Sequence, residues 1–207
     1  MGGVAVVTDS SAGIPSDLVD ELGISVVPVD VLVDGVVLPQ GGSLDLAQAV
    51  RDGVKVTTSR STPEAFAGVF AALADQGFDQ VVVATLSSKL SGTFESAVLA
   101  GRASAIPVSV CDSLSVGLAL GFPVINAAQV ARAGASGPEV LEVLESGVRQ
   151  SQVFFYVHSL EYLKRGGRIS PTSARLGTAL SVKPIMSITN GEVVLMDKVR
   201  TKAKALA

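Results

Sequence analysis

Residues 80–97, QVVVATLSSKLSGTFESA, join an apolar run to a stretch with helical spacing through a junction crowded with hydroxyl side chains and Gly92. The run at 81–86 is continuous rather than alternating, the pattern of a strand covered on both faces in a parallel or mixed sheet between helix layers. Similar β-rich runs recur at 4–7 (VAVV), 24–33 (ISVVPVDVLV), 108–111 (VSVC) and 153–157 (VFFYV). Helical patterns lie between them. Residues 63–76 place Phe66, Val69, Phe70 and Leu73 on one face, with Thr62 as N-cap, Pro63 at the first helical position and Gly77 as terminator. Residues 138–149 stripe Val140, Leu141, Leu144 and Val148 in the same way. Strands alternating with helices predict an α/β fold, with an N-terminal α/β/α sandwich around a mostly parallel sheet.

Beyond residue 150 the pattern changes to a strand, a short basic helix over SLEYLKRGGR, another short helix near 172–181, and then KPIMSITNGEVVLMDKVR. In that last segment Asn190-Gly191 lies between β-rich runs, the signature of a two-residue hairpin. The expected division is an N-terminal α/β domain over 1–150 and the start of a second α/β domain over 151–207. VDGVVLPQGGS reads as a hairpin edge running into a loop, and KVRTKAKALA as the opening of a helix with nothing yet to pack against.

The 207 residues are 48% hydrophobic and 17% charged, enough apolar material for an ordered core. A net charge of −3, no Trp and two Tyr give neither the basic footprint nor the stacking platforms of a nucleic-acid binder. Cys111, the single cysteine, sits in the apolar run PVSVC and reads as a buried thiol in a reducing compartment. The N-terminus lacks a basic n-region and a signal-length apolar core. The most membrane-like window, 114–131, is interrupted by Pro123, Asn126 and Gln129 and reads as a buried helix rather than a span. The expectation is a soluble, cytoplasmic chain without integral membrane association; nothing in the sequence specifies an oligomeric state.

P-loop, dinucleotide-binding and nucleophile-elbow motifs are absent from the sequence. His158, the only histidine, follows VFFYV and precedes Ser159, which favours a structural role over a hydrolytic triad. One His and one Cys exclude a zinc site of His/Cys type, and Asp9, Asp30 and Asp112 are too scattered to argue for magnesium. No catalytic residue, metal or cofactor is expected.

Four hydroxyl-rich segments fall at or near predicted strand ends: TDSS (8–11), TTSRS (57–61), SSKLSGT (87–93) and DSLS (112–115). In an open α/β sheet the carboxyl ends of the strands face one crevice, where several of these segments can converge. The free N–H groups of a helix start there favour an anion, and Gly92 allows close approach to the backbone. Helix capping by Ser and Thr accounts for any single segment equally well. The pattern leaves phosphate, carboxylate and sugar open.

The segments VVTDSSAGIP, KVTTSRSTPEAF, LSSKLSGTFESA, SLEYLKRGGRIS, VKPIMSITNGEV and KVRTKAKAL together resemble the DegV family of bacterial fatty-acid-binding proteins, in the right order over nearly the whole chain. The resemblance implies a two-domain α/β protein that holds one long-chain fatty acid, such as palmitate, in a tunnel between its domains. It implies a carboxylate held by Thr58 and Ser91, with Ser59, Gly92, Thr93 and Ser10 around them. It further implies a carrier that presents the carboxylate to a separate ATP-dependent fatty acid kinase, which makes an acyl phosphate for phospholipid synthesis.

Arg165 and Arg168 of KRGGR fit either the head group or the kinase-facing surface, or else complete a helix dipole. Lys89 fits the kinase-facing surface or simple solubility. Burying about 14 methylenes at about 0.8 kcal/mol each gives roughly 11 kcal/mol gross, against about 1.5–3 kcal/mol for each hydrogen bond to a charged head group. The tail would supply affinity and the hydroxyls orientation. Family members usually run further and end with a glycine-rich segment whose histidine helps hold the carboxylate. No segment here matches it, so the second domain is expected to be incomplete and to expose apolar surface. Two other readings stay open: an enzyme acting on a small phosphorylated or carboxylated metabolite, with Asp9 as its acid or base, and a lipid-free interaction module.

Overall fold

The computed structural model describes residues 2–38, 45–157, 160–169 and 183–205. His158, Ser159 and the helix expected near 172–181 lie outside the described residues.

The apolar runs at 4–7, 81–86 and 108–111 become three adjacent parallel strands, β1 (Val4–Asp9), β6 (Gln80–Thr85) and β7 (Val108–Asp112). β2 (Ser25–Val27), reached through α1 (Ser16–Leu22), adds at the other edge to give the order β2-β1-β6-β7. Burial on both faces explains why the runs do not alternate. On one face Val6, Val82 and Ala84 pack with Leu120 and Val124 of α5 (Leu118–Arg132) and with Val140 and Leu144 of α6 (Gly137–Gln150). On the other, Val7, Val81 and Val83 pack with Phe66 and Phe70 of α3 (Pro63–Asp75) and with Ala97 and Ala100 of α4 (Thr93–Arg102). The molecule is an α/β protein built on a parallel sheet.

The local signals act where the sequence places them. Thr62 Oγ1 accepts the Ala65 N–H at 3.2 Å, Pro63 opens α3, and Gly77 leaves the helix at φ +89°. Most of the 114–131 window is α5, which buries Leu120, Val124, Ala127 and Ala128, leaves Leu118 and Phe122 exposed, and runs through Pro123 as it packs beside Gly147 of α6. Among the described residues no helix is long and apolar enough to cross a membrane.

The run 24–33 is not one strand. β2 ends at Val27, and Pro28, which has no N–H to continue a ladder, turns the chain out of the parallel sheet. The turn is pinned twice: the Ser61 hydroxyl donates to the Pro28 carbonyl at 2.6 Å, and the Val29 N–H donates to Ser10 Oγ at 2.9 Å. The chain then forms β3 (Val31–Val33), turns through Asp34-Gly35 into β4 (Val36–Val37), and β3 also pairs with β5 (Val56–Thr58). This small antiparallel sheet, order β4-β3-β5, carries α2 (Leu46–Arg51) against it.

After α6 the chain enters β8 (Phe154–Tyr156), then α7 (Glu161–Arg165), and closes an antiparallel sheet β10-β9-β8 with β9 (Lys183–Thr189) and β10 (Glu192–Val199). Asn190 and Gly191 both have positive φ, +51° and +84°, as a two-residue turn matched to strand twist requires. Among the described residues Ile169, Met186 and Val193 form the buried apolar centre here. A helical turn at Lys202–Ala205 follows β10.

Candidate functional site

A cleft of about 550 Å³ opens where the small antiparallel sheet, the loop after β6 and α7 meet, within the size range of ligand pockets. One wall is Val29, Val54 and Val56 with Thr57 and Thr58; the floor is Leu86, Leu90 and Ser91. The far wall is Tyr162, Leu163 and Gly166 with Arg165 and Arg168. Thr58, Ser91, Arg165 and Arg168, scattered along the chain, therefore share one mostly apolar cavity.

Its position follows from the sheet order. β2 adds beside β1 on one side and β7 beside β6 on the other, so the chain leaves β1 and β6 in different directions, and a crevice forms outside their carboxyl ends. Asp9 ties these ends together. Its carboxylate accepts the Ser11 N–H at 2.9 Å, the Ser11 hydroxyl at 2.5 Å and the Leu86 N–H at 2.7 Å. Burial pushes the Asp9 carboxyl above its ordinary value, against the lowering effect of those three donors. Fully buried and bonded in this way, Asp9 is a latch between two strand ends and not an open acid or base.

Ser91 is presented by a turn whose N–H groups at Leu90 and Ser91 donate to the Ser87 carbonyl, at 2.9 and 3.1 Å. Its hydroxyl pairs with Thr93 Oγ1 at 3.0 Å, and Thr93 Oγ1 also accepts the Ser61 N–H at 3.4 Å. Thr93 is fully buried, so it holds Ser91 from behind rather than facing the cavity. Gly92 begins α4 outside the cleft lining. A Cβ on it would lie 3.0 Å from Arg60 Cδ and Nη1, so glycine there leaves room for that side chain.

Two other expected residues are placed elsewhere. The Ser59 hydroxyl reaches the Asp30 carboxylate and the Arg60 carbonyl, both at 3.3 Å, and its N–H donates to the Asp30 carbonyl, so it stitches the small sheet. Ser10 lies in a separate recess of about 280 Å³, where its hydroxyl is occupied by the Val29 N–H. Of the four hydroxyl segments, only 57–61 and 87–93 contribute to the cleft. The first does so from the antiparallel sheet, not from the carboxyl end of a parallel strand. The segment 112–115 braces the floor instead: Asp112 Oδ1 accepts the Ser88 and Leu114 N–H groups, and the Ser115 carbonyl accepts the Ser87 N–H.

The two arginines differ. Arg165 is paired with Glu161 at 2.6 Å, whereas Arg168 donates through Nε to the Leu90 carbonyl at 3.1 Å and binds the Gly166 carbonyl. Arg168 thereby joins α7's end to the loop that bears Ser91. The residues that sequence reasoning missed are Lys55, Thr57, Tyr162 and the aliphatic walls; Thr57 alone carried a signal, as the other hydroxyl of TTSRS. Among the described residues no cluster of His, Cys, Asp and Glu could hold a metal ion. Cys111 is buried, and desolvation, with smaller effects from Glu145 and Asp112, pushes its thiol up to about 11.

Residues 3–207 match the profile of a family described as the uncharacterised DegV proteins. The chain belongs to the DegV family. It is 40% identical to a DegV domain-containing protein from Streptomyces coelicolor, over 99% of this chain and 74% of that one. A DegV family protein from Thermus thermophilus, described by its fatty acid binding, superposes with a TM-score of 0.88 at 36% identity, over 98% of this chain and 74% of the other. DegV of Bacillus subtilis, described as a fatty acid binding protein, gives 0.88 at 32% identity, over 100% of this chain and 75% of that one. The chain thus shares both sequence and fold with proteins described as fatty acid binding.

Proposed function

We propose that this DegV chain binds a long-chain fatty acid, such as palmitate, in the cleft, with the carboxylate at Thr58 and Ser91 and the tail along Val29, Val54, Val56, Leu90 and Leu163. The observation that carries the reading is the convergence of Thr58 and Ser91 in one cavity whose remaining walls are largely aliphatic. Related structures described as fatty acid binding support the ligand class. Neutral hydroxyl donors orient a carboxylate, while burial of about 14 methylenes, roughly 11 kcal/mol gross, supplies the affinity. The start of α4, beside Ser91, adds the favourable end of a helix dipole.

On this reading the chain is a carrier rather than an enzyme, and residues 1–150 and 151–207 act as two units that enclose the ligand. The acyl carboxylate is presented to a separate fatty acid kinase, which makes the acyl phosphate. Arg165 and Arg168, at the cleft rim, are the surface offered to that partner. Asp9, the acid or base of the metabolite-enzyme reading, is committed to its latch and lies outside the cleft lining, which favours the carrier over that enzyme.

Native mass spectrometry of the chain purified from a bacterial host should show a bound acyl species. A chain that arrives empty and takes up no labelled palmitate would overturn the reading. Ser91→Ala should weaken palmitate binding by about tenfold or more, from loss of a charge-assisted bond. Ser96→Ala should not, because the Ser96 hydroxyl only returns to the Gly92 carbonyl at 3.1 Å.

A further inference from the structure

The turn that presents Ser91 is gripped from outside the cleft, and the grip closes on Ser87. This serine is fully buried and lies outside the cavity lining. Its hydroxyl donates to the Gly191 carbonyl at 2.7 Å and accepts the Lys89 N–H at 3.1 Å, while its own carbonyl accepts the Leu90 and Ser91 N–H groups. The same residue therefore terminates both the turn that aims Ser91 and the tip of the β9–β10 hairpin.

The fit is tight. A Cβ on Gly191 would stand 2.6 Å from Ser87 Oγ, 3.0 Å from Lys89 Cγ and 3.1 Å from Leu114 Cδ2, so the hairpin backbone sits directly on the turn. With φ +84° as well, position 191 admits glycine for two separate reasons. Leu90, between Ser87 and Ser91, packs against both the parallel-sheet core and the Ile169–Met186–Val193 cluster, and its carbonyl is held by Arg168. The head-group turn is thus fastened at both ends to the C-terminal sheet and α7.

We propose that Ser87 is a positioning residue for the bound carboxylate: its hydroxyl, held by Gly191, sets the aim of Ser91, so head-group recognition depends on how the β9–β10 hairpin is seated. The proposal rests on the fatty-acid reading above. Removing the hydroxyl leaves the buried Gly191 carbonyl without its donor and the Lys89 N–H without its acceptor, while the two bonds to the Ser87 carbonyl remain. The turn survives but loses its registration on the hairpin. Tail burial rests mainly on Val29, Val54, Val56 and Leu163, which lie outside this turn, and so changes far less.

The test compares palmitate with methyl palmitate, which has the same tail and no charge, on the full chain, with thermal melting recorded alongside. Ser87→Ala should weaken palmitate by about tenfold and leave methyl palmitate within about twofold. Gly191→Ala, which presses on the same hydroxyl from the hairpin side, should reproduce that selective loss and decides the matter if Ser87→Ala does not fold. Asn190→Gly alters the same turn without entering the space of Ser87 and should keep the wild-type preference. Equal losses for both ligands, or a palmitate preference intact in Ser87→Ala and Gly191→Ala, would overturn the positioning role alone. A wild-type chain that does not distinguish acid from ester would overturn the carboxylate reading beneath it as well.

Discussion

The parallel sheet β2-β1-β6-β7 is closed on both faces, with Val7 and Val83 completely inaccessible between helix layers, whereas the antiparallel sheet β10-β9-β8 leaves Phe154 57% and Met196 55% exposed. The first sheet meets its own helices on every side; the described part of the second gathers around Ile169, Met186 and Val193. Local opening free energies follow buried apolar contact, so the two bodies should differ in how readily they open. The cleft lies beside both, where the small sheet, the loop after β6 and α7 meet, and the turn that bears Ser91 follows β6 of the first sheet and is clasped by the β9–β10 hairpin of the second. On the proposed function, the carboxylate donors would then be referenced to the more completely buried sheet.

The sharpest way to break this contrast is to empty each core. Phe66→Ala, at a fully buried position between α3 and the sheet, should cost about 3–5 kcal/mol in denaturant unfolding. Met186→Ala should cost about 2 kcal/mol, at the low end for such truncations, because Phe155, Ile188 and Leu195 are only half-buried and can close inward. A larger loss from Met186 than from Phe66 would reverse the ranking of the two sheets.

Cys111 offers a reporter on one body alone. It pairs with Ala84 across β6 and β7, and its thiol, pushed up to about 11, is about a hundredfold poorer in thiolate near pH 8 than an ordinary cysteine. Alkylation of the native chain should be slow by about that factor. It should stay slow in Met186→Ala, whose opening spares the parallel sheet, and quicken in Phe66→Ala. Rapid alkylation in Met186→Ala would show the two bodies opening as one.

Much of the firm body was legible from residue order, because its signals are local. Thr62, Pro63 and Gly77 bracket α3 as their chemistry requires, and the continuous apolarity of 81–86 follows from two-sided burial. Asn190-Gly191 announced its hairpin for a similar reason, since few other residues accept positive φ twice in succession. In the small sheet the β3–β4 hairpin was legible at Asp34-Gly35, but the third strand was not, because the pairing of Val31 with Thr58 is long-range. The site divides in the same way. Thr58 and Ser91 came from a family resemblance, while Ser10, Ser59 and Thr93 shared the same residue types but turned to bracing. The aliphatic walls carried no signal, since Val54 or Leu163 reads alike in a core and in a cleft.

A smaller effect probes the stitching of the softer sheet. The Ser187 hydroxyl donates to the Val153 carbonyl at 2.8 Å, joining β9 to the segment that leads into β8. Ser187→Ala should cost about 1 kcal/mol, seen as faster hydrogen exchange confined to β8 and β9. Exchange that also quickens in β6 would weaken the separation of the two bodies.

The smallest effect concerns helix ends. In the firm body the Glu139 carboxylate accepts the Ser136 hydroxyl at 2.7 Å and the Ser136 N–H at 2.8 Å at the start of α6, and these bonds hold its carboxyl below the ordinary range. At the start of α3, Glu64 is likewise held low by its own backbone N–H and by Thr62. α7, in the softer body, begins at Leu160 without a side-chain cap and so relies on its neighbours. A carboxyl whose folded pKa is depressed contributes stability that is present above its unfolded value and is lost as pH falls through the folded one. Acid should therefore loosen the caps of α3 and α6. Melting temperatures of the wild type and of Glu139→Gln, followed from neutral pH to about pH 3, should differ slightly at neutral pH and converge in acid. Curves that stay parallel to the acid end would mean that Glu139 braces α6 by packing rather than by charge.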